Sequence, residues 1–243
     1  MPLKRPNAPL VTAFTKGILD KAATKRPERK QARPLKVAEI VYLEETLNNE
    51  SIDIYDRYAA GAFLFAVYPR CRWSDLRSIN GCELDVDFSN AKLVGFISFQ
   101  TFSHKTAAQV AKHGLPMPLI APIWGLCSPP WAMTWKRVAE AVALDFSNFA
   151  KGAVLPAPNK AGRWSCRSVT SVEASRWLTE LLKVHTADLE DVSSHSLKAT
   201  TLSWLAKAGS DPHHRKPFWG TTLRERGLSR CIPETSCLPL YAL

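Results

Sequence analysis

The stretch SIDIYDRYAAGAFLFAVYP, residues 51–69, decides how this chain folds. From Ala59 to Val67 it is apolar on nearly every side. A helix that is apolar all round is usually buried on all sides. Because a proline follows at position 69 and disfavours helical geometry in the residue before it, we predict a helix from about Ile52 to Tyr68. This helix is predicted to form the centre of the core.

Amphipathic and alternating patterns surround this central segment. Val37, Ile40 and Leu47 recur at helical spacing before it, and a short helix is predicted after it over Trp73–Ile79. Apolar and polar residues then alternate, which predicts a hairpin and a third strand. Helices, a small sheet and helices again predict an α+β fold that is mostly helical. The remaining predicted elements are the strands Cys82–Phe88, Leu93–Phe99 and Leu119–Ile123 and the helices Trp131–Leu144, Val172–Val184 and Ser194–Ala208.

The net charge of +10 is concentrated at the start of the chain. Residues 1–36 contain ten Lys or Arg and two Asp or Glu, a formal charge of +8, whereas the remainder is nearly neutral. We therefore predict a basic, flexible leader over 1–36, with a short helix near Val11–Ala23. Such a segment suits a polyanion, because each cation that contacts a phosphate releases counterions. A solvated arm that keeps the protein soluble explains the charge equally well.

The cysteine and hydropathy patterns exclude several classes of protein. The six cysteines form no CxxC pair, so we expect reduced thiols in an intracellular protein. His213 and His214 are adjacent, which is poor spacing for zinc ligands, and no metal site is predicted. No apolar run reaches the roughly 18 residues of a membrane span, and the first residues lack a secretory signal. No membrane association is therefore expected.

Four short segments carry the functional signal. They are Tyr68-Pro-Arg-Cys-Arg-Trp-Ser-Asp-Leu76, Ser103-His-Lys-Thr106, Leu115-Pro-Met-Pro-Leu-Ile-Ala-Pro122 and Ser194-His-Ser-Leu-Lys-Ala-Thr200. In their order and spacing these segments resemble the catalytic boxes of the tyrosine recombinases, the phage-integrase family. The resemblance covers roughly residues 37–216 and implies an integrase-like catalytic core with a small antiparallel sheet.

The resemblance implies four catalytic residues. Arg72 resembles the family's first catalytic arginine, which opens a helix and is followed three positions later by an acidic residue. Lys105 stands where the family has a lysine on its sheet. His195 and Lys198 resemble the family's His-x-x-Arg box. Lys198 departs from that pattern, because a lysine keeps the charge but lacks the paired donors of a guanidinium, so transition-state stabilisation is expected to weaken.

The chemistry of the family explains why these residue types are needed. A tyrosine hydroxyl attacks the phosphorus of a DNA phosphodiester and becomes covalently linked to the DNA. Arginine donors stabilise the charge on the non-bridging oxygens. A lysine protonates the departing sugar oxygen, and a histidine assists proton movement or phosphate contact. The scheme requires no metal and no cofactor.

Ordinary structural roles remain open for each of these residues. Arg72 could be a surface cation paired with Asp75, and Lys105 could be a loop cation. His195 could be a polar residue at the start of a helix, bonded through Ser193 or its neighbour. A structure that leaves Arg72 far from His195 would remove the basis of the resemblance.

The C-terminal part lacks two features of the family. A Leu-Gly-His box and the nucleophilic tyrosine should follow the last helix, but after Lys216 the chain reads Pro217-Phe-Trp-Gly-Thr-Thr222. Tyr241 lies in a different context and is not assigned as the nucleophile. A shifted reading frame after Lys216 can spell Leu-Gly-His, and Cys231–Thr235 can spell a tyrosine in the same register. We interpret 217–243 as a frameshifted tail with the last helix missing or disordered; a natural irregular C-terminus is the alternative.

These patterns predict three regions and one function. The regions are the leader 1–36, a tyrosine-recombinase-like catalytic domain over 37–216, and the tail 217–243. We expect a mobile-element-derived, DNA-binding protein of DNA integration or recombination that is impaired in strand cleavage. Its expected partner is double-stranded DNA, on which it can form a homo-oligomer, in the nucleus or in a prokaryotic cytoplasm. The family's separate DNA-clamping domain is expected to be absent or reduced to the leader.

Two other functions remain open. The chain could be an active strand-transfer enzyme that uses Tyr241 or a tyrosine of a partner chain. It could also be a helical scaffold or interaction protein whose basic leader binds RNA or acidic partners. In the second case, deletion of the leader would abolish binding and Arg72→Ala would have no effect.

Overall fold

The structure, a computed structural model, describes residues 31–89, 93–101, 116–144, 146, 152–159, 161 and 163–209. The chain divides into two compact units, Met1–Thr201 and Leu202–Leu243. In the second unit the described residues are 202–209, the end of one helix and the turn that follows it. Residues 1–30 of the leader, Lys105 and the tail 217–243 lie outside the described residues.

Helix α2, Ile54–Val67, confirms the prediction of a central core helix. Asp53 caps its N-terminus by accepting a hydrogen bond from the Tyr55 N–H at 2.9 Å. Each residue of its second half is buried. The rings of Phe65 and Phe99 meet edge to face at 4.8 Å, which joins the helix to the sheet. Burying each such side chain contributes about 1.5–3 kcal/mol, so this helix supplies much of the stability.

The other described helices lie close to their predicted positions. Helix α1, Val37–Asn48, packs against α2 and against α3, Trp131–Ala141. Helix α4, Ser171–Leu182, packs against α1 and α2. Helix α5 spans Ser194–Lys207 and crosses from the first unit into the second. The bounds of α3, α4 and α5 lie within three residues of the predicted ones, and α1 contains the residues predicted at helical spacing.

The predicted hairpin and third strand form one antiparallel sheet. Strands β1 (Ile79–Asp87), β2 (Val94–Thr101) and β3 (Met117–Pro122) lie in the order β1-β2-β3. A register shift near the start of β1 accommodates Gly81, whose φ of +60° favours glycine. One face of the sheet is buried, with Phe99 also 6.0 Å from the ring of Trp135 on α3. The opposite face is exposed.

Two features differ from the prediction. The strands β4 (Pro156–Pro158) and β5 (Trp164–Ser168) form a second, two-stranded sheet that was not predicted. The helix predicted over Trp73–Ile79 is a short 3-10 helix, Trp73–Arg77, after which β1 begins. Helix makes up 44% and strand 21% of the described residues, so the fold is α+β but less helical than predicted.

The folded unit begins before the predicted boundary at Val37. The Arg33 guanidinium forms a two-pronged ion pair with the buried Glu39, with N–O distances of 2.7 and 2.9 Å. The Leu35 N–H donates to Thr200 Oγ1 at 2.9 Å. The end of the predicted leader is therefore fixed to α1 and α5 rather than flexible.

Several expected absences concern only part of the chain. The cysteines within the described ranges are Cys71, Cys82, Cys127 and Cys166, and they form no disulfide. Across those same ranges, no helix is both long enough and apolar enough to pass through a bilayer. The described part of the chain also contains no group of three His, Cys, Asp or Glu residues that could hold a metal ion.

Candidate phosphate-binding site

The turn after α2 presents two arginines. Arg70 adopts a left-handed backbone with φ of 56°, and its N–H donates to the Val67 carbonyl at 3.1 Å. Cys71 is buried, and its thiol donates to the Ala66 carbonyl at 3.6 Å. Arg72 is exposed and stands immediately before the 3-10 helix. The turn thus buries the cysteine while placing an arginine on either side of it.

Asp75 fixes the backbone at Arg72. This carboxylate is only 3% exposed, and one of its oxygens accepts the Arg72 N–H at 3.0 Å. The Asp75 N–H returns a hydrogen bond to the Arg72 carbonyl at 2.9 Å. Among the described residues, the Arg72 guanidinium forms no ion pair, so the alternative of a surface pair with Asp75 is replaced by a backbone contact. The arginine side chain is left available for another anion.

Helix α5 is held against the same turn through hydroxyl groups. The Thr201 hydroxyl donates to the Val67 carbonyl at 2.5 Å, at the end of α2. The Ser194 N–H donates to Ser175 Oγ at 2.9 Å, which joins the start of α5 to α4. Leu197 is fully buried between these contacts. The first two turns of α5 therefore have a fixed rotation relative to the arginine turn.

Lys198 is the residue of α5 that meets this turn. Burial lowers the pKa of Lys198 below its usual value, and the positive charge of Arg72 lowers it further. Arg70 acts in the same direction, while Asp75 and Cys71 oppose the shift. The Thr201–Val67 hydrogen bond holds this part of α5 against the arginine turn, and the charge effect agrees with it, so we group Lys198 and Arg72 in one positively charged patch. We call Arg70, Arg72 and Lys198 the arginine–lysine cluster.

Burial also sets the protonation of Cys71. It raises the pKa of the Cys71 thiol well above its usual value, and Asp75 raises it further. The nearby Lys198 charge only partly offsets this effect. Cys71 therefore remains a neutral thiol, and it does not neutralise the cluster.

His195 lies one helical turn before Lys198. Its side chain is exposed, and its N–H donates to Ser193 Oγ at 3.3 Å. Residues three apart on a helix lie on neighbouring positions of one face. This places His195 on the side of α5 that carries Lys198. The hydrogen bond that the sequence suggested through Ser193 does exist, but it involves the His195 backbone.

The structure thus covers three of the four predicted site residues. It fixes the helix of Lys198 beside the turn of Arg72 through the Thr201–Val67 hydrogen bond and places His195 on the helix face of Lys198. Lys105 lies outside the described residues. Sequence reasoning missed Arg70, although it stands two positions before Arg72 in the quoted segment. The positive charges of Arg72 and Lys198 thus lie on two neighbouring elements, and the buried Asp75 carboxylate beside them accepts the Arg72 N–H.

Comparisons with known proteins find similarity in the path of the backbone and not in the sequence. No known protein-family model matches the sequence, and no curated protein matches it. The solved structure of an FLP recombinase–Holliday junction complex matches with a TM-score of 0.41 and 11% identity, over 85% of this chain and 49% of that one. The structure of the Tn1549 transposon integrase (aa 82–397) with circular intermediate DNA matches with a TM-score of 0.43 and 15% identity, over 84% and 66%.

These two solved structures are a recombinase and an integrase. The chain spans about half the length of the first and 66% of the second. Both similarities lie below a TM-score of 0.5 at low identity. What this chain binds must therefore be inferred from its own side chains.

Proposed function

We propose that this chain binds the phosphate backbone of double-stranded DNA through the arginine–lysine cluster, as a tyrosine-recombinase-like protein. The observation that carries the proposal is the hydrogen bond from the Thr201 hydroxyl to the Val67 carbonyl at 2.5 Å, which fixes the helix that bears Lys198 beside the turn that bears Arg72. The lowering of the Lys198 pKa by the charge of Arg72 agrees with this geometry. A guanidinium and an ammonium around one phosphodiester provide charge-assisted hydrogen bonds to its oxygens. His195 adds a further donor on the same helix face.

In this proposal the chain is impaired in cutting DNA. Lys198 replaces the arginine that the resemblance implies, so one pair of parallel donors is lost at the phosphate. Lys105 is the proposed general acid for the departing sugar oxygen. The tail supplies no nucleophile in the expected context, and Tyr241 is not assigned that role. Phosphate binding is thus retained while covalent cleavage is lost.

The cellular setting belongs to the same proposal. A site for backbone phosphate without base contacts gives affinity but no sequence information. We propose a role in DNA recombination or integration for a mobile-element-derived protein, in the nucleus or in a prokaryotic cytoplasm. Assembly of several copies along one duplex would raise affinity through multivalency.

DNA binding by single variants tests the role of the cluster. Affinity for a short labelled duplex is measured by fluorescence anisotropy at several salt concentrations. Arg72→Ala and Lys198→Met should each weaken binding about tenfold or more, and each should reduce the salt slope by about one. Arg176→Ala and Lys183→Met, which remove exposed cations of α4 and its end, are the matched controls and should have smaller effects.

The same measurement distinguishes DNA binding by the arginine–lysine cluster from the alternative of a scaffold protein that binds its partner through the leader. If removing residues 1–30 abolishes binding and the Arg72 and Lys198 variants bind as the parent does, the leader is the binding element. In that case RNA or an acidic protein becomes the better partner.

A suicide DNA substrate tests strand cleavage. Such a substrate traps a covalent protein–DNA adduct when a nucleophile attacks the scissile phosphate. We expect no adduct from this chain. An adduct that disappears in Tyr241→Phe would instead establish an active enzyme.

A further inference from the structure

The outer face of the three-stranded sheet combines apolar and acidic side chains. Val94 and Phe96 on β2 are each 49% exposed, and Ile120 on β3 is 51% exposed. Asp85 on β1 pairs in register with Phe96, which pairs with Pro122 on β3. The apolar residues therefore lie side by side across the sheet, with an acidic strand along one edge.

Such a face is unusual for a small sheet whose other face is buried. Antiparallel sheets of this kind normally alternate apolar residues inward and polar residues outward. The inward positions are indeed filled by apolar residues, so the outward ones are not needed for the core. Exposed apolar patches of this kind mark interaction surfaces. The exposed Glu83 and Asp85 beside the patch select for a basic, apolar partner.

We propose that residues 10–26 of this same chain dock on the outer face of the sheet. In the sequence, Leu10, Phe14 and Ile18 recur at the spacing of one helix face. Cations flank these residues at Lys16, Lys21, Lys25 and Arg26. This segment thus carries an apolar stripe together with positive charge, which is complementary to the acidic residues of the sheet face.

The tether makes this docking intramolecular. Arg33 is fixed to the buried Glu39, so the leader leaves the folded unit at a defined point. With residues 10–26 as a helix, Phe14 lies about 18 Å along it from Arg26, and the chain from Arg26 to Arg33 adds about 23 Å when extended, so the stripe reaches roughly 40 Å from Arg33. This reach is comparable with the diameter of about 40 Å of a domain of this size. Because the segment belongs to the same chain, a short linker gives an effective concentration of about 1 mM, which favours even a weak contact.

Charge argues against two other occupants of this face. A second copy facing it would bring Glu83 and Asp85 close to the same carboxylates of its partner. DNA would meet those carboxylates with its own negative phosphates. The basic leader carries the opposite charge to this face, whereas a second copy and DNA would both be repelled by it.

Photo-crosslinking in the full chain tests the proposal without DNA. A photoreactive phenylalanine analogue replaces Phe14, and crosslinked peptides are mapped by mass spectrometry at low protein concentration. We expect intramolecular crosslinks to β1, β2 or β3. Crosslinks confined to other parts of the chain, or only between two molecules, would overturn the proposal, as would no crosslink above background.

Two sets of variants in the crosslinking background sharpen the result. Phe96→Ser and the double charge reversal Glu83→Lys with Asp85→Lys should each reduce the crosslink yield roughly fivefold or more, and added salt should reduce it further. Glu180→Lys, an exposed charge reversal on α4, is the control and should leave the yield unchanged. Equal yields in all variants would contradict docking on this face, whatever the DNA-binding result.

Discussion

Two polar clusters lie beside the end of helix α2, and they differ in the sign of their charge and in their exposure to solvent. In the first, the Glu44 carboxylate is 1% exposed and accepts hydrogen bonds from the Tyr68 hydroxyl at 2.6 Å, the Leu126 N–H at 2.9 Å and the Cys127 N–H at 2.7 Å. In the second, the arginine–lysine cluster has a single buried carboxylate, Asp75, which is used by the backbone.

The Glu44 network and the arginine–lysine cluster contribute differently to stability and to ligand binding. A buried polar network in which every group has a partner stabilises the fold, and it offers a ligand nothing to bind. A cluster with excess positive charge weakens the folded protein slightly and gains from an incoming anion. We therefore assign the Glu44 network a structural role, whereas the phosphate site that we propose uses Arg72 and Lys198.

The largest expected effect comes from breaking the satisfied network. Glu44→Gln replaces a carboxylate oxygen by an amide that cannot accept all three donors. We expect a loss of about 3 kcal/mol in the free energy of unfolding, because buried donors are left without an acceptor. Urea unfolding measures it. Glu45→Gln, the exposed neighbour on α1, is the control and should change stability little.

Gly125→Ala provides an independent way to break the same network. A Cβ at this position would lie 1.9 Å from Glu44 Oε1, so the carboxylate or the loop must move. We expect a destabilisation of about 2 kcal/mol by the same unfolding measurement. A stability equal to that of the parent would show that the loop adapts freely and that Glu44 is not held by it.

The next effect, in the second cluster, is expected at Asp75. Asp75→Asn keeps the size of the side chain but weakens its acceptance of the Arg72 N–H and removes the negative charge near Lys198. We expect a loss of about 2 kcal/mol in unfolding free energy, since a buried charge-assisted hydrogen bond is replaced by a weaker neutral one and the amide nitrogen gains no acceptor. Asp85→Asn on the exposed face of β1 is the control. A larger loss in that control would contradict the assignment.

The helices and strands whose apolar residues recur at regular spacing were predicted from the sequence, whereas the polar clusters were not. Helix α2 could be predicted because its apolar residues cover every side. Glu44 was missed because a glutamate on an amphipathic helix ordinarily faces solvent, and its partners come from a loop about 80 residues away. Strand β4 was missed because Pro156 and Pro158 are unfavourable in strands.

The candidate site was only partly predictable for a similar reason. The resemblance identified Arg72 and Lys198 as site residues, but not which groups surround them. Arg70 enters the cluster because the backbone turns there through a left-handed conformation. The spacing of residues in the sequence does not show that the backbone turns at Arg70. Charge clusters assembled by tertiary contacts become visible only once the chain is folded.

The smallest expected stability change comes from removing the charge of Lys198. Lys198→Met removes a half-buried cation while keeping a chain of similar length. We expect the free energy of unfolding to be unchanged or to rise by no more than about 1 kcal/mol, because the ammonium is still partly solvated. The same variant should bind DNA more weakly. Loss of both stability and binding would instead mean that Lys198 supports the fold.

The pH dependence of anion binding follows from the direction of the Lys198 pKa shift. The folded-state pKa of Lys198 is lowered by burial and by Arg72, so the ammonium loses its proton at a lower pH than a free lysine does. Binding that needs this charge should therefore weaken as pH rises through the lowered pKa. The unfolding free energy should move in the opposite direction and rise over that window, because the charged form is the one the fold disfavours.

Lys198→Arg separates these two effects of pH. A guanidinium keeps its proton throughout the accessible range, so affinity for duplex DNA should stay level where the parent loses it. Anisotropy titrations at constant ionic strength from pH 7 upward measure the difference, with Lys183→Arg as the control. If parent and Lys198→Arg lose affinity together, the titrating group is elsewhere. The charge of Lys198 would then not be part of the phosphate site, and the proposed site would rest on Arg72 alone.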